Sequence, residues 1–366
     1  MKFLGAVLRE AGQPLQLESL ALKNLSDLDV VVQIKATSLC HTDLEAVEGA
    51  LGTRVPFIPG HEAAGIVESI GSQVKSLNIG DHVVISWNPF CGSCYFCQRK
   101  QPIICSQYRA NATASFHFDG KPRIYMGDDP IHQLMYAGSF AEMAVVTEDC
   151  AVKISKEVPF EIACLLGCGV MTGVGAAINI AKVVPGSTVG VIGCGAVGIS
   201  AIQGARLAGA EKIIAIDRDV KKLEFSKQFG ATDLIIANDE VLSAIMNSTN
   251  GIGLDYVIES AGNESAFQLS VEIVRPGGQV VWLGKVPTQQ KVNFRWGSLM
   301  GEKKIHRSSY GGATPQVDFP YLAQSYLDGK LKLDEYITSR IRLKEINEGL
   351  DRLKRGQEIR SVVQFS

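Results

Sequence analysis

Hydrophobic and polar positions change rhythm once along this chain, near residue 170. Before that point short segments rich in β-branched residues recur between turns. "DVVVQIKATSLC" (29–40) and "AAGIVESIG" (63–71) are bounded by Gly, Asn or Asp and predict strands. "NIGDHVVISW" (78–87) predicts a turn running into a strand, and the polar, pattern-poor stretch 91–135 predicts an excursion loop. After residue 170 strand-like and helix-like segments alternate. "TVGVIGCG", "EKIIAID", "LDYVIESAG" and "QVVWLGKV" predict strands. "AVGISAIQGARLAGA", "KKLEFSKQFGA" and "SAFQLSVEIVRPGG" predict helices. Alternation to about residue 309 is the signature of a doubly wound parallel sheet. The tail "KEINEGLDRLKRGQEIRSVVQF" predicts one amphipathic helix and a final strand.

Composition narrows the class. A chain of 366 residues exceeds one comfortable core, so two domains are expected. Lys plus Arg is 36 and Asp plus Glu is 38, a net charge of -2 that offers no field for nucleic acid or an anionic membrane. The apolar run at the N-terminus is too short for a secretory segment, and residues 163–178 read as too short and too rich in glycine to span a membrane. The expected location is therefore the cytoplasm, where clustered cysteines are metal ligands or redox groups rather than disulfides. The odd total of nine cysteines fits that expectation.

Gly193, Gly195 and Gly198 stand in G-x-G-x-x-G spacing after a predicted strand and at the opening of a predicted helix, with Ala196 and Val197 inside the motif. The glycines allow a tight turn and close approach of a pyrophosphate to the helix N-terminus. Asp217 ends the next strand, where a carboxylate bonds the ribose 2′-hydroxyl and repels a 2′-phosphate, favouring NAD over NADP. Arg218 beside it pulls the other way.

Cys91, Cys94, Cys97 and Cys105 form a C-x2-C-x2-C-x7-C run. Four thiolates on one short loop suit a closed structural zinc site. An iron–sulfur cluster is the lesser alternative, because the fourth cysteine is distant and no proline follows it. A second set is scattered: Cys40 in "CHTD", His61 and Glu62 in "GHEAAG", and Cys164 and Cys168 in "CLLGCG". Two cysteines and a histidine with one open position is a catalytic zinc pattern.

Together, Cys40, "GHEAAGIVESIG", the four-cysteine loop, "CLLGCGVMTGVGAA" and "GCGAVG…AID" make the chain resemble the zinc-containing medium-chain alcohol dehydrogenases from about residue 30 to its end. The resemblance implies a GroES-like β-barrel catalytic domain (1–169 and 310–366) and a Rossmann cofactor domain (170–309), with zinc and nicotinamide in the cleft between them. It implies two zinc ions per chain, with Cys40, His61 and Cys168 holding the catalytic one and Cys164 left as a non-ligand. It further implies that Glu62 lies behind that metal and that Asp43 bonds the His61 ring. Thr42 would touch the alcohol oxygen and carry its proton away. His41 and Arg360 would contact the pyrophosphate, Lys222 the adenosine ribose, and Thr172 the cofactor. The histidine that ends the proton relay in the best-known members is replaced here by Glu45, which either accepts the proton or faces solvent.

The same resemblance implies an alcohol/aldehyde substrate. Trp87 falls where the family lines the pocket near zinc, which favours primary, aromatic or allylic alcohols; the other possibility is a core aromatic. Arg109 matches an arginine of the glutathione-dependent formaldehyde dehydrogenases, but Leu51 and Thr53 stand where those enzymes carry acidic residues. A non-enzymatic NAD-binding protein is the rival from another class, and it predicts a lost ligand or glycine. "GGQVVWLGKV" is expected at the sheet edge, where relatives pair with a second copy; a homodimer is expected, with a tetramer still open.

Overall fold

The computed structural model describes residues 2–111 and 116–366, without the side chains of 109–111. The chain forms two compact units, Met1–Cys168 with Thr314–Ser366, and Gly169–Ala313. Residues 310–313, expected with the first unit, fold with the second, where the Gly311 carbonyl accepts a hydrogen bond from Asn179 Nδ2 at 3.3 Å.

The first unit is built on a seven-stranded sheet. Its order is Ala151–Lys153, His82–Ile85, Glu62–Ile70, Asp29–Ser38, Arg360–Gln364 and Ile337–Ile341, with Met143–Thr147 also paired to Asp29–Ser38. Asp29–Ser38 has partners on both sides, which is why eight of its ten residues are buried. Val30, Val32, Ile34, Val67, Val83 and Ile85 share one apolar core on this sheet. Within 91–135, expected as loop, the chain adds short strands at Ile124–Met126, Asp129–Pro130 and His132–Gln133. They are tied down by Arg123, 2% exposed, which pairs with Asp29 and with Asp119 at 2.8 Å. A buried ion pair this far apart in sequence leaves no periodicity to read.

The second unit is a six-stranded sheet in the order Asp233–Ile236, Lys212–Asp217, Thr188–Ile192, Leu254–Glu259, Val274–Trp282, Lys304–Arg307, parallel throughout. This is the doubly wound arrangement whose ligands sit outside the carboxyl ends of the strands. Two expectations are corrected. The helix read over 265–278 ends at Ile273, because Pro276 and the two glycines after it cannot continue it. The strand expected at the edge is internal: Val274–Trp282 pairs on both sides, and the edge is Lys304–Arg307, exposed at all four residues.

One helical stretch, Phe160–Ala181, spans 22 residues and is apolar enough to cross a membrane, longer than the sequence pattern indicated. Its apolar window is 78% buried inside the protein, which accounts for that composition without a bilayer.

Candidate active site

Strand register brings the scattered ligands together. Ser38, near the end of one strand, faces Glu62, the first residue of its antiparallel neighbour. Cys40 and His61, lying just beyond these ends, therefore come to the same edge of the sheet. Cys40 opens the helix His41–Val47, which places Asp43 one turn later pointing back into the core. The Asp43 carboxylate is fully buried and accepts three hydrogen bonds: from Cys40 N at 3.0 Å, from Gly60 N at 3.0 Å and from His61 Nδ1 at 2.9 Å. Accepting the Nδ1 proton directs the Nε2 lone pair outward from the ring.

Cys168 comes from the π-helical turn Leu166–Val170, a distortion that often accompanies function. The Cys40 and Cys168 thiols, a His61 ring nitrogen and a Glu62 carboxylate oxygen lie within 4.8 Å of one another. The Cys168 thiol bonds to Cys40 and holds the Cys40 thiol well below its usual range, against burial. The same hydrogen bond, with burial, pushes Cys168 up. Burial would lower the His61 imidazole, but the Asp43 carboxylate reverses this and holds it up. His61 Nε2 is buried with no hydrogen-bond partner. An orphaned imidazole nitrogen beside two thiols is the donor set of a zinc ion, so these residues fit that metal.

Glu62 is wholly buried, and burial pushes its carboxyl up to about 8. Its partner is Arg360, 4% exposed, with Nη2 3.3 Å from Glu62 Oε1. The guanidinium assigned by resemblance to a pyrophosphate contact is thus engaged with the buried Glu62 carboxyl, one of whose oxygens lies within the ligand group. Thr42 and Glu45, on the same helix as Asp43, are half-buried, and His41 is exposed. Cys164 is fully buried and lies outside the ligand group.

The loop cysteines form a second cluster. Cys91, Cys94, Cys97 and Cys105 converge within 4.8 Å, with sulfur–sulfur distances of 3.6 Å (Cys91–Cys105) and 4.0 Å (Cys91–Cys97 and Cys94–Cys105). Four sulfurs about 2.3 Å from a common centre would stand about 3.8 Å apart in a tetrahedron. Backbone amides already point at the thiols: Cys94 N donates to Cys91 Sγ at 3.3 Å and Cys91 N to Cys105 Sγ at 3.4 Å. Backbone donors from Cys97 and Ser106 hold the Cys94 thiol down at about 5. The arrangement is that of a closed zinc site with all four positions taken by protein. Trp87 packs on this cluster, 6.2 Å centroid to centroid from Tyr108, which lies 5.6 Å from Tyr136. The Arg109 side chain lies outside the described residues.

In the second unit the glycine loop follows Thr188–Ile192 and opens the helix Ala196–Leu207. A Cβ on Gly198 would fall 1.7 Å from the Gly193 carbonyl, so only glycine permits this close turn. Gly193 itself has φ +90°, and a Cβ there would lie 2.9 Å from Ala261 N. Ala196, Val197 and Gly198 occupy the first helical turn, where amides have no partner within the helix. Asp217 accepts hydrogen bonds from Cys194 N at 2.6 Å and Asp219 N at 2.9 Å, which fixes its carboxylate at the loop. Lys222 and Thr172 are half-buried. Sequence reasoning missed Glu259, which ends its strand as Asp217 ends its own, the two strands flanking Thr188–Ile192 on either side. An acidic residue closing an apolar run was the available signal.

The chain matches the alcohol dehydrogenase GroES-like domain over residues 26–156 and the zinc-binding dehydrogenase family over residues 196–326. Alcohol dehydrogenase 2 of Oryza sativa subsp. japonica is 36% identical over 372 residues, covering 100% of this chain and 98% of the relative. S-(hydroxymethyl)glutathione dehydrogenase of Saccharomyces cerevisiae is 36% identical over 373 residues, covering 99% and 96%. The crystal structure of benzyl alcohol dehydrogenase from Acinetobacter calcoaceticus matches with a TM-score of 0.94 at 31% identity over 100% of both chains. Identity of this extent along the whole length places the chain in a family: it belongs to the zinc-containing medium-chain alcohol dehydrogenases.

Proposed function

We propose that the protein interconverts primary alcohols, aromatic or allylic ones foremost, with their aldehydes, using NAD. Membership of the family makes it an NAD-dependent zinc oxidoreductase. The observation that carries the substrate class is the aromatic group Trp87, Tyr108 and Tyr136. Burial first, then the charges of Tyr136, Cys150 and Cys168, push the Tyr108 hydroxyl up. Trp87 is the half-buried member of this group, backed by the buried Tyr108 and Tyr136, and an aromatic face of that kind favours flat, conjugated carbon skeletons. The likeness to a benzyl alcohol dehydrogenase supports the same class.

Cys40, His61 and Cys168 would hold the catalytic zinc, which supplies Lewis acidity to an alcohol or carbonyl oxygen, while NAD supplies the hydride acceptor. Asp43 keeps His61 in the tautomer that presents Nε2 as a ligand. The Thr42 hydroxyl takes the substrate proton, and the half-buried Glu45 carboxylate is placed on the same helix to receive it. The buried Arg360 guanidinium is held against the Glu62 carboxyl, with neither group exposed. Asp217, fixed by two backbone amides, would accept a hydrogen bond from the ribose 2′-hydroxyl of NAD. Asp217→Asn keeps the shape and removes the charge, and it is expected to lower the NAD over NADP preference by about tenfold or more, read as the ratio of kcat/KM values.

A second reading is a thiol-adduct substrate, favoured by the 36% identity to S-(hydroxymethyl)glutathione dehydrogenase. One assay separates the two: NADH formation from benzylic, allylic and aliphatic alcohols beside formaldehyde with glutathione. The proposal expects kcat/KM for benzyl alcohol to exceed that for the glutathione adduct. The reverse order sinks it. We also propose a homodimer through the exposed edge Lys304–Arg307. Trp296 (77% exposed) and Met300 (57%), in the segment leading to that edge, supply apolar surface for a second copy.

A further inference from the structure

Glu259 closes the strand Leu254–Glu259 at its carboxyl end, the end at which doubly wound sheets bind ligands. It is 0% exposed. Its Oε1 accepts hydrogen bonds from Ala261 N at 2.8 Å and Gly262 N at 2.6 Å, so the carboxylate curls the following turn around itself. Its Oε2 is buried without a hydrogen-bond partner. A Cβ on Gly284 would stand 2.5 Å from that oxygen and 2.4 Å from Gly262 N, so the 283–285 loop closes directly on the carboxylate. Leu283 N completes the closure by donating to the Glu259 carbonyl at 2.8 Å. The turn then meets the glycine loop: Ser260 Oγ donates to the Gly193 carbonyl at 2.9 Å and to the Ile192 carbonyl at 3.1 Å.

A buried carboxylate is costly unless its hydrogen bonds are needed. Here both hydrogen bonds of the carboxylate go to the turn that follows it, the 283–285 loop packs against it, and neither bond belongs to the sheet ladder. We propose that Glu259 is a positioning residue for the dinucleotide: it locks the 260–262 turn, which through Ser260 sets the glycine loop that receives the pyrophosphate. This rests on the glycine loop being the cofactor site.

The test is NADH binding by fluorescence titration on the zinc-loaded protein, with KM for NAD, kcat and thermal midpoint measured on the same samples. Glu259→Ala is expected to weaken NADH about tenfold and to raise KM for NAD more than it lowers kcat. Glu259→Gln is expected to restore most of this, because one amide oxygen can accept both N–H groups. Ser260→Ala cuts only the tie to the glycine loop; it is expected to weaken NADH several-fold with an unchanged thermal midpoint. Ser260→Ala within twofold of the parent protein overturns the proposal, whether or not Glu259→Ala folds. A folded Glu259→Ala within twofold of the parent overturns it as well. A parent protein that does not bind NADH overturns the cofactor site itself, and this inference with it.

Discussion

Cys168→Ser is expected to lower kcat/KM for alcohol oxidation by at least about 1,000-fold, with one zinc per chain in place of two. The magnitude is that of several kcal/mol of Lewis-acid stabilisation at the reacting oxygen. Serine keeps the size of the side chain but gives up a thiolate for a hydroxyl that stays protonated near neutrality, so it competes poorly for zinc. The remaining donors, Cys40 and His61, are still held in place by Asp43. The variant should therefore fold and keep its NADH affinity while losing turnover. Elemental analysis and steady-state kinetics on one preparation decide the matter. Two zinc ions and activity within tenfold of the parent would remove Cys168 from the ligand set.

The second large effect falls on stability. Cys105 is fully buried, packs with Tyr108 and Tyr136, and lies 3.6 Å sulfur to sulfur from Cys91. Cys105→Ser is expected to empty the loop site and lower the thermal midpoint by about 10 °C, a loss of a few kcal/mol in a unit of this size. The cause is specific: three neighbouring thiols, and the amides of Cys91 and Cys94 aimed at sulfur, lose their common centre. NADH binding should survive, because the glycine loop and Asp217 belong to the other unit. Calorimetry with metal analysis checks this. An unchanged midpoint after loss of one zinc would show that the loop holds its shape without metal.

Much of the chemistry was legible because its residues sit in short motifs. Cys91 to Cys105 and Gly193 to Gly198 each lie within one loop, where spacing alone carries the geometry. Cys40, His61 and Cys168 are far apart in the chain, and it was the family resemblance that joined them. What joins them physically is the register Ser38 to Glu62, a long-range pairing that no local pattern records. Two of the three hydrogen bonds at Asp43, from Gly60 and Cys40, were hidden for the same reason. Arg360 shows a different limit: its motif identified a cation, whereas its partner Glu62 follows from the burial of both. The true sheet edge, Lys304–Arg307, contains one apolar residue and has no buried face, so it carries no alternation to detect.

The bonding of Asp43 also bears on how such an enzyme changes over time. Its three donors come from both ends of the segment 40–61, so the spacing of Cys40 and His61 is set by the sheet and by one carboxylate. The exposed residues between them, among them Glu48, Ala50, Gly52, Arg54 and Val55, bear little of that load. Apart from Gly52, whose φ of +62° suits glycine, substitutions there can drift without disturbing the ligands. A library confined to the non-glycine positions of 48–55 is therefore expected to leave the positions of Cys40 and His61 unchanged.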